Sequence, residues 1–229
     1  PRLWEAIQLG FEDVISGMPT VSRFLLKTAI RNSGKYKFAL RKIKGLCLEK
    51  VSFPSKILST YQLILSWPFH FFSSVFLWPK VLRRLSGGRL KYPINGGGAI
   101  APHVDAFFEG LGIELLVGYG LTETSPVVSC RRPWKNLRGS SGSPLPETEF
   151  RIVDPDTAMP MSFRQKGRVL VKGPQVMKGY LDQPEETAKV LDSEGWFDTG
   201  DLGMLLPDGQ LILTGRAKDT IVLSNGENI

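Results

Sequence analysis

Four short segments of this chain combine glycines with polar and aromatic side chains, and the first of them has the residue types that can bind a nucleotide. The first, residues 118–124, reads Gly-Tyr-Gly-Leu-Thr-Glu-Thr. Glycines let a backbone approach a nucleotide closely, and an aromatic ring such as that of Tyr119 can stack on a base. The hydroxyl of Thr122 can contact a phosphate, and the carboxylate of Glu123 is a hard oxygen ligand for Mg²⁺. The segment equally fits a plain turn after a strand, so it needs support from the rest of the chain.

The other three segments lie further along the chain. Residues 173–180 read Gly-Pro-Gln-Val-Met-Lys-Gly-Tyr, residues 195–201 read Gly-Trp-Phe-Asp-Thr-Gly-Asp, and residues 215–219 read Gly-Arg-Ala-Lys-Asp. Asp201 and Arg216 stand on either side of a Pro-Asp-Gly turn, and an ion pair on the surface would explain these two charges alone. Four such segments in this order are not expected by chance.

Together the segments resemble the core motifs of the adenylate-forming superfamily, which includes acyl-CoA synthetases, the adenylation domains of nonribosomal peptide synthetases and beetle luciferases. The resemblance covers residues 90–229. The superfamily pattern Tyr-Gly-x-Thr-Glu is matched by Tyr119 to Glu123, the pattern Thr-Gly-Asp by Thr199 to Asp201, and the pattern Gly-Arg-x-Lys by Gly215 to Lys218.

This resemblance implies ATP and Mg²⁺ as cofactors and gives the motif residues their roles. Glu123 would coordinate Mg²⁺, and Thr122 would contact phosphate. Asp201 would accept hydrogen bonds from both ribose hydroxyls, and Arg216 would donate to the same sugar. Tyr119 would stack on adenine. The other nucleotide-binding positions that the resemblance implies are Gly96, Gly97, Gly98, Ala99 and Gly120.

The implied reaction joins a long-chain fatty acid to a thiol, either coenzyme A or an acyl carrier protein. The fatty acid carboxylate attacks the α-phosphate of ATP, so the enzyme must position two anions and stabilise the developing charge. Beside Thr122 and Glu123, Lys218 is the third expected catalytic residue. It resembles the hinge of a mobile C-terminal lid, which lets one site carry out two half-reactions in turn.

Residues 1–89 resemble the long-chain fatty acid branch, and particularly the plant plastid acyl-acyl carrier protein synthetases. This narrower resemblance implies a chloroplast protein associated with a membrane, with the endoplasmic reticulum or the cytoplasmic face of a membrane as the alternative. Two other functions stay open: a ligase that adenylates another carboxylate, and a non-catalytic relic that binds nucleotide at a membrane. The chain begins at Pro1 and stops within an expected strand or turn, so we expect a fragment that is inactive by itself.

The elements that must position these residues are predicted to form an α/β fold. A strand over 90–94, a glycine loop, a helix over 102–111 and a strand over 113–117 make one βαβ unit, which implies a parallel sheet with flanking helices. Short strands separated by turn residues then predict a β-rich, barrel-like subdomain. We expect these strands at 149–153, 167–172, 204–206 and 210–214.

The expected organisation is the C-terminal part of a large AMP-binding domain over 1–214, followed by the hinge and the start of a truncated lid over 215–229. Within the large domain, we expect a basic helical and aromatic insertion at 1–89, the βαβ nucleotide site at 90–138 and the β-rich subdomain at 139–214.

The glycine loop also allows a competing interpretation as a dinucleotide site. Gly96-x-Gly98-x-x-Ala101 lies between a strand and a helix, and Glu114 follows where a ribose-binding acid would be sought. Glu114 begins its predicted strand rather than ending it, however, and Pro102 is an unusual start for a helix beneath a pyrophosphate. These departures favour the adenylate-forming interpretation.

Charge is unevenly distributed along the chain. Residues 1–104 carry 16 Lys and Arg against 4 Asp and Glu, whereas the remaining residues carry 13 against 18. A basic surface attracts lipid headgroups or an acidic protein partner, although a solvated helix face is an equal alternative. Aromatic residues that would stack on bases are not interleaved here, so we expect no nucleic acid partner. The densest basic stretch holds Arg23, Lys27, Arg31, Lys35, Lys37, Arg41, Lys42 and Lys44.

An apolar run follows at residues 57–79, where 23 consecutive positions carry no formal charge. Its length suits a membrane span, but Pro68 is expected to break it and several polar residues interrupt it. Three placements therefore stay open: attachment at a membrane interface, a buried or acyl-tunnel wall, and a true span. His70 within the run is expected to be a packed residue. Cys47 and Cys130 lack metal-ligand spacing and cannot form a disulfide framework, which indicates a reducing compartment.

Overall fold

The computed structural model describes residues 2–217 and divides the chain into two compact units. The first unit comprises residues 1–116 and 133–139, and the second comprises residues 117–132 and 140–229. The helices of the first unit are α1 (Arg2–Ser16), α2 (Thr20–Lys44), α3 (Phe53–Phe72), a π-helical segment (Ser73–Leu77), α4 (Trp78–Ser86) and α5 (Pro102–Gly110), with the short strand β1 (Ile94–Asn95) between α4 and α5.

The strands begin to dominate after α5. They are β2 (Leu116–Tyr119), β3 (Ser129–Cys130), β4 (Ser143–Pro144), β5 (Glu149–Val153), β6 (Gly167–Lys172), β7 (Phe197–Leu205) and β8 (Leu211–Arg216), with a 3₁₀ turn (Thr122–Thr124) after β2 and helix α6 (Pro184–Val190) between β6 and β7.

The first unit is a helical assembly around one apolar core. Helix α2 packs against both α3 and α5. The core brings together side chains that are far apart in sequence, because each helix places one apolar stripe toward its neighbours. Its most deeply buried members are Ile15, Trp78, Val104, Phe108, Leu111 and Leu115.

Buried charges hold α2 against α5 in this unit. Arg41 forms an ion pair with Glu109 on α5 and donates to the carbonyl of Asn136. Arg138 also pairs with Glu109 and lies 3.8 Å from Asp105. Arg41 is only 6% exposed, and this burial lowers its pKa although nearby carboxylates act in the opposite direction. The expectation that Arg41 belongs to an exposed basic surface was therefore wrong.

The apolar run folds as the helix α3, the π-helical segment and the beginning of α4. Helix α3 continues through Pro68, so the expected break there was wrong. A proline removes one backbone hydrogen bond, and a long helix that packs along a neighbour can tolerate this loss. Within residues 2–217, no helix combines the length and the apolar character that a membrane crossing requires.

Small polar residues form the buried line of α3. Ser59, Ser66 and Ser73 are buried at intervals of seven residues, and each hydroxyl donates to the carbonyl four residues earlier. Large apolar side chains occupy the opposite surface. Those more than half exposed include Ile57, Leu58, Tyr61, Ile64, Leu65, Trp67, Phe69, Phe71, Phe72 and Phe76.

In the second unit, β5 to β8 form an antiparallel meander in sequence order. Burial alternates along β6, where Val169 and Val171 face the core together with Ile152, Phe197 and Leu211. This alternation is the period-two pattern of a strand with one buried face. Strands β2, β3 and β4 also pair antiparallel.

These observations confirm the α/β prediction and the β-rich region. The strands at 149–153 and 167–172 occur at the predicted residues, and β1, α5 and β2 appear in the predicted order. The amide of Leu116 donates to the carbonyl of Pro93, which places the start of β2 beside the start of β1. The predicted domain limits stay predictions.

Candidate nucleotide site

The clearest constellation of functional side chains lies in the second unit around Asp201. The hydroxyl of Tyr119 donates to Asp201 Oδ2 at 2.6 Å, and Arg216 Nε donates to Asp201 Oδ1 at 3.1 Å. The Asp201 side chain is 7% exposed, whereas that of Arg216 is 63% exposed. Burying a carboxylate costs hydration free energy, and the two hydrogen bonds to Asp201 offset this cost. Asp201 and Arg216 therefore differ from an ion pair in which both side chains are exposed.

The β7–β8 hairpin brings Asp201 and Arg216 together. The two residues are directly opposite in the register of these strands, although they are 15 residues apart in sequence. The turn between the strands contains the predicted Pro-Asp-Gly sequence, with the amide of Gly209 bonded to the carbonyl of Leu206. Thr199 completes the local support, since its hydroxyl accepts the amide of Asp201 and donates to Val169.

Tyr119 reaches this carboxylate from the end of β2. Burial, followed by the hydrogen bond to Asp201 and its charge, raises the pKa of the Tyr119 phenol. The phenol therefore stays protonated near neutral pH and acts as the donor. Its hydroxyl is a support for Asp201 that the motif pattern did not reveal, because a contact across 82 residues leaves no local sequence signal. Stacking of the Tyr119 ring on adenine stays a prediction.

The segment after β2 bends sharply and holds Thr122 and Glu123 in a 3₁₀ turn. Thr124 closes this turn, since its hydroxyl accepts the amide of Leu121 at 2.9 Å. Gly120 is required for the bend, because a Cβ at this position would lie 1.7 Å from the carbonyl oxygen of Pro126. The structure thus gives Gly120 a steric role in addition to its predicted place in the nucleotide site.

Glu123 is held by the segment that ends at Tyr180. The Tyr180 hydroxyl donates to Glu123 Oε1 at 3.0 Å, and the amide of Met177 donates to the Glu123 carbonyl at 2.7 Å. The sequence pattern singled out residues 173–180 without assigning them a task, so Tyr180 is a partner of the candidate site that sequence reasoning missed. Its place at the end of a glycine-containing motif was the signal that could have pointed to it.

The donor set fits a Mg²⁺ ion that arrives with a nucleotide. Among residues 2–217 there is no group of three or more His, Cys, Asp or Glu that could form an all-protein metal cage. Mg²⁺ in nucleotide sites is usually held by one or two carboxylates together with substrate phosphates. A single carboxylate at Glu123, next to the exposed Thr122, matches that requirement.

The glycine loop belongs to the first unit. The Asn95 side chain is buried and donates to the carbonyl of Gly98 at 3.2 Å, which closes the loop on itself. The assignment of residues 96–99 to nucleotide binding stays a prediction. Glu114 pairs with Lys37 at 3.1 Å, so the acid required by the competing dinucleotide interpretation is engaged in an ion pair within this unit.

Other predicted residues have simpler outcomes. Lys218 and the rest of the expected hinge and lid, residues 218–229, lie outside the described residues. His70 is packed as expected: its ring stacks on Tyr36 with centroids 4.1 Å apart, and Nδ1 lies 2.9 Å from the Ser33 hydroxyl. Cys47 and Cys130 are both free thiols.

Comparison with known proteins agrees with this geometry. The sequence profile of the family described as AMP-binding enzyme matches residues 1–181. Two relatives from Arabidopsis thaliana are each 41% identical over 247 residues, which is 100% of this chain and 34% of theirs. One is named probable acyl-activating enzyme 16, chloroplastic, and the other long-chain-fatty-acid–[acyl-carrier-protein] ligase AEE15, chloroplastic. The chain therefore spans about a third of the length of these relatives.

Solved structures show the same kinship. The crystal structure of ATP-bound MatB from Rhodopseudomonas palustris superposes with a TM-score of 0.59 and is 29% identical, covering 69% of this chain and 31% of that one. A further relative by sequence is a protein from Bacillus subtilis that is named long-chain-fatty-acid–CoA ligase. It is 42% identical over 142 residues, which is 61% of this chain and 25% of the relative.

Proposed function

Because this chain belongs to the AMP-binding enzyme family, we propose that the full-length protein activates a long-chain fatty acid with ATP and transfers the acyl group to a thiol. The observation that carries the proposal is the buried Asp201 carboxylate between Tyr119 and Arg216. The names of relatives that match the whole chain favour long-chain fatty acids over other carboxylates.

Two half-reactions make up the proposed activity. The fatty acid carboxylate forms a bond to the α-phosphorus of ATP, and the bond to pyrophosphate breaks, which leaves an acyl-adenylate. A thiolate then attacks the acyl carbon, and AMP leaves with the electrons of the broken acyl–oxygen bond. Reactions of this kind depend on positioning and on electrostatic stabilisation of the phosphoryl oxygens.

The residues of the second unit would bind the nucleotide. Asp201 would accept the ribose hydroxyls, since a carboxylate oxygen that already receives one hydrogen bond can accept another. Arg216 is exposed enough to donate to the same sugar. Thr122 would donate to phosphate. Mg²⁺, when bound with ATP, would neutralise phosphate charge and would be held by Glu123.

The large domain would extend over residues 1–214, and the lid would begin at 215–229 with Lys218 as its hinge. Such a hinge would reorient the lid between adenylation and thiol capture. This division is proposed from the motif pattern, and the matching family profile ends before the hinge, at residue 181.

We propose an acyl carrier protein as the thiol acceptor and the chloroplast as the location. One relative that matches the whole chain is named a chloroplastic acyl-carrier-protein ligase. The exposed face of α2 supports the choice, because Lys27, Arg31 and Lys35 are exposed on this helix. Lys27 and Arg31 also line a shallow groove of about 370 Å³ together with Phe24. Rim charges of one sign accelerate the encounter with an acidic partner.

A membrane surface is a second proposed partner, supported by the exposed apolar face of α3. Trp67 and Phe71 stack on this face at 5.5 Å, and both side chains are about half exposed. Aromatic rings are favoured at headgroup depth. Vesicle flotation of the full-length protein should decrease when Trp67 and Phe71 are both changed to Ser. Unchanged flotation would indicate that this face is covered by other parts of the protein.

The direct test of the proposed function is exchange of labelled pyrophosphate into ATP by the full-length protein. Exchange should require a long-chain fatty acid and should be weaker with acetate or an aromatic carboxylate. Addition of acyl carrier protein or coenzyme A should release AMP and yield the thioester. Exchange that occurs only with another carboxylate would show that the substrate is not a long-chain fatty acid. ATP binding without any exchange would support the alternative of a non-catalytic, nucleotide-binding protein.

A further inference from the structure

The segment 173–180 touches Glu123 at two points and has no role in the function proposed above. Its Met177 amide bonds to the Glu123 carbonyl at 2.7 Å, and its terminal Tyr180 hydroxyl bonds to Glu123 Oε1 at 3.0 Å. The first contact fixes the backbone of the segment against the 3₁₀ turn. The second reaches the functional carboxylate itself, so the two contacts can be separated by substitution.

Tyr180 is supported from behind by helix α6. Its amide donates to the Thr187 hydroxyl at 2.9 Å, and that hydroxyl donates to the carbonyl of Gln183 at 2.9 Å. The preceding Gly179 has φ 152°, and a Cβ there would lie 2.9 Å from the Thr187 methyl carbon. The backbone of Tyr180 is therefore tightly fitted against α6, which limits where its ring can point.

The phenol is suited to be a donor to this carboxylate. A tyrosine hydroxyl donates near neutral pH, and a carboxylate oxygen of Glu123 accepts from it at 3.0 Å. Among residues 2–217, the hydrogen bond from Tyr180 to Oε1 is the one that reaches the Glu123 carboxylate.

We infer that Tyr180 is a positioning residue, whose hydroxyl fixes the Glu123 carboxylate for binding the Mg²⁺ of the ATP complex. A glutamate side chain otherwise loses rotational freedom when it binds a cation, and a prior hydrogen bond reduces that cost. Outer contacts of this type orient metal ligands, and their loss typically lowers metal affinity about 10–100-fold. The inference rests on the proposed function, because it takes Glu123 as the Mg²⁺ ligand.

Tyr180→Phe in the full-length protein isolates the hydroxyl. The ring and the amide contacts of Met177 and Tyr180 are retained, so the segment should stay attached. Tyr61→Phe is the matched control, because Tyr61 is 62% exposed on α3 in the other unit. With ATP present and fatty acid omitted, the acyl-adenylate cannot form, and the rise in melting temperature with added Mg²⁺ reports binding of Mg²⁺ together with ATP.

We expect Tyr180→Phe to raise the Mg²⁺ concentration for the half-maximal melting shift about tenfold. The same displacement should appear in the Mg²⁺ dependence of pyrophosphate exchange, and saturating Mg²⁺ should restore the rate. Tyr61→Phe should follow the unmodified protein in both measurements. A Tyr180→Phe protein with an unchanged Mg²⁺ dependence would overturn the inference. So would a lowered melting temperature without Mg²⁺ combined with a normal midpoint, since that indicates a structural role.

Glu123→Gln separates this inference from the proposed function. If Glu123→Gln shifts the Mg²⁺ midpoint and adding Tyr180→Phe shifts it no further, the two groups act together as inferred. If Glu123→Gln leaves the midpoint unchanged, both the ligand role of Glu123 and the positioning role of Tyr180 are wrong. Fatty-acid-dependent exchange by the unmodified protein would still establish the proposed reaction in that case.

Discussion

The two units of this chain acquire their functional residues in different ways. In the second unit, a hairpin places Asp201 opposite Arg216, so residues close in sequence become partners through strand register. In the first unit, Arg41 finds its partners Glu109 and Asn136 across 68 and 95 residues. Local sequence motifs therefore predict much of the site in the second unit. The residue contacts of the first unit depend instead on packing between helices that are distant in sequence.

The comparison has an electrostatic side as well. Asp201 is a buried acid whose basic partner, Arg216, is largely exposed, so one side of the pair can exchange contacts with a ligand. Arg41 and Glu109 are both buried, with side chains 7% and 5% exposed, and their contacts are fully internal. We therefore expect substitutions of Asp201 or Arg216 to affect ligand binding. Substitutions of Arg41 or Glu109 should affect stability.

The largest expected effect tests the internal pair. In the full-length protein, Arg41→Met should lower the free energy of unfolding by about 3 kcal/mol, because it leaves buried Glu109 with Arg138 as its remaining ion-pair partner. Chemical denaturation measures the change. Lys35→Met, an exposed position on the same helix, should change stability by less than about 0.5 kcal/mol. Equal stability of the two variants would contradict a stabilising buried ion pair and would favour a solvated Arg41.

The next effect concerns the nucleotide. Asp201→Ala removes a charged acceptor that contributes about 1.5–3 kcal/mol, so the ATP concentration for half-maximal pyrophosphate release should rise at least about tenfold. Asp198→Ala is the matched control, since it lies on the same strand and pairs with Arg168 at 2.8 Å. A folded Asp201→Ala protein with an unchanged ATP dependence would contradict the ribose assignment.

The smallest effect concerns α2. Reversal of Lys27, Arg31 and Lys35 to Glu should leave acyl-adenylate formation intact and slow transfer to acyl carrier protein several-fold at low salt. The defect should shrink as salt rises, because exposed charges are screened within about 8–10 Å at physiological ionic strength.

Reversal of Lys80, Arg83 and Arg84 on α4 makes the same change in net charge at another exposed surface. This control should transfer the acyl group at a rate closer to that of the unmodified protein. If both triple variants transfer equally slowly, net charge rather than an α2 docking face explains the defect. If neither variant is slowed, the basic residues of α2 do not bind acyl carrier protein, and attraction to lipid headgroups or a solvated helix face would explain them.

Sequence reasoning succeeded where the determining interactions are local. Burial alternates along residues 167–172, and the Pro-Asp-Gly turn joins β7 to β8, so this strand and this turn could be predicted. It failed at Arg41, because neither the charge nor its spacing distinguishes a buried partner of Glu109 from a surface residue. The supports given by Tyr119 and Tyr180 were also missed, since each joins residues more than 50 positions apart.

The π-helical segment at 73–77 sets the rotational phase between α3 and α4. The buried line of α3 repeats every seven residues up to Ser73, and a further interval would reach Lys80, which is exposed. Burial instead returns at Trp78, five residues on, whose indole donates to Ser33 at 3.3 Å. One residue turns an α-helix by about 100°. If residues 73–77 formed a regular α-helix of the same length, the five steps from Ser73 to Trp78 would turn about 500°, which is about 140° past one full turn. Trp78 would then leave its place beside α2.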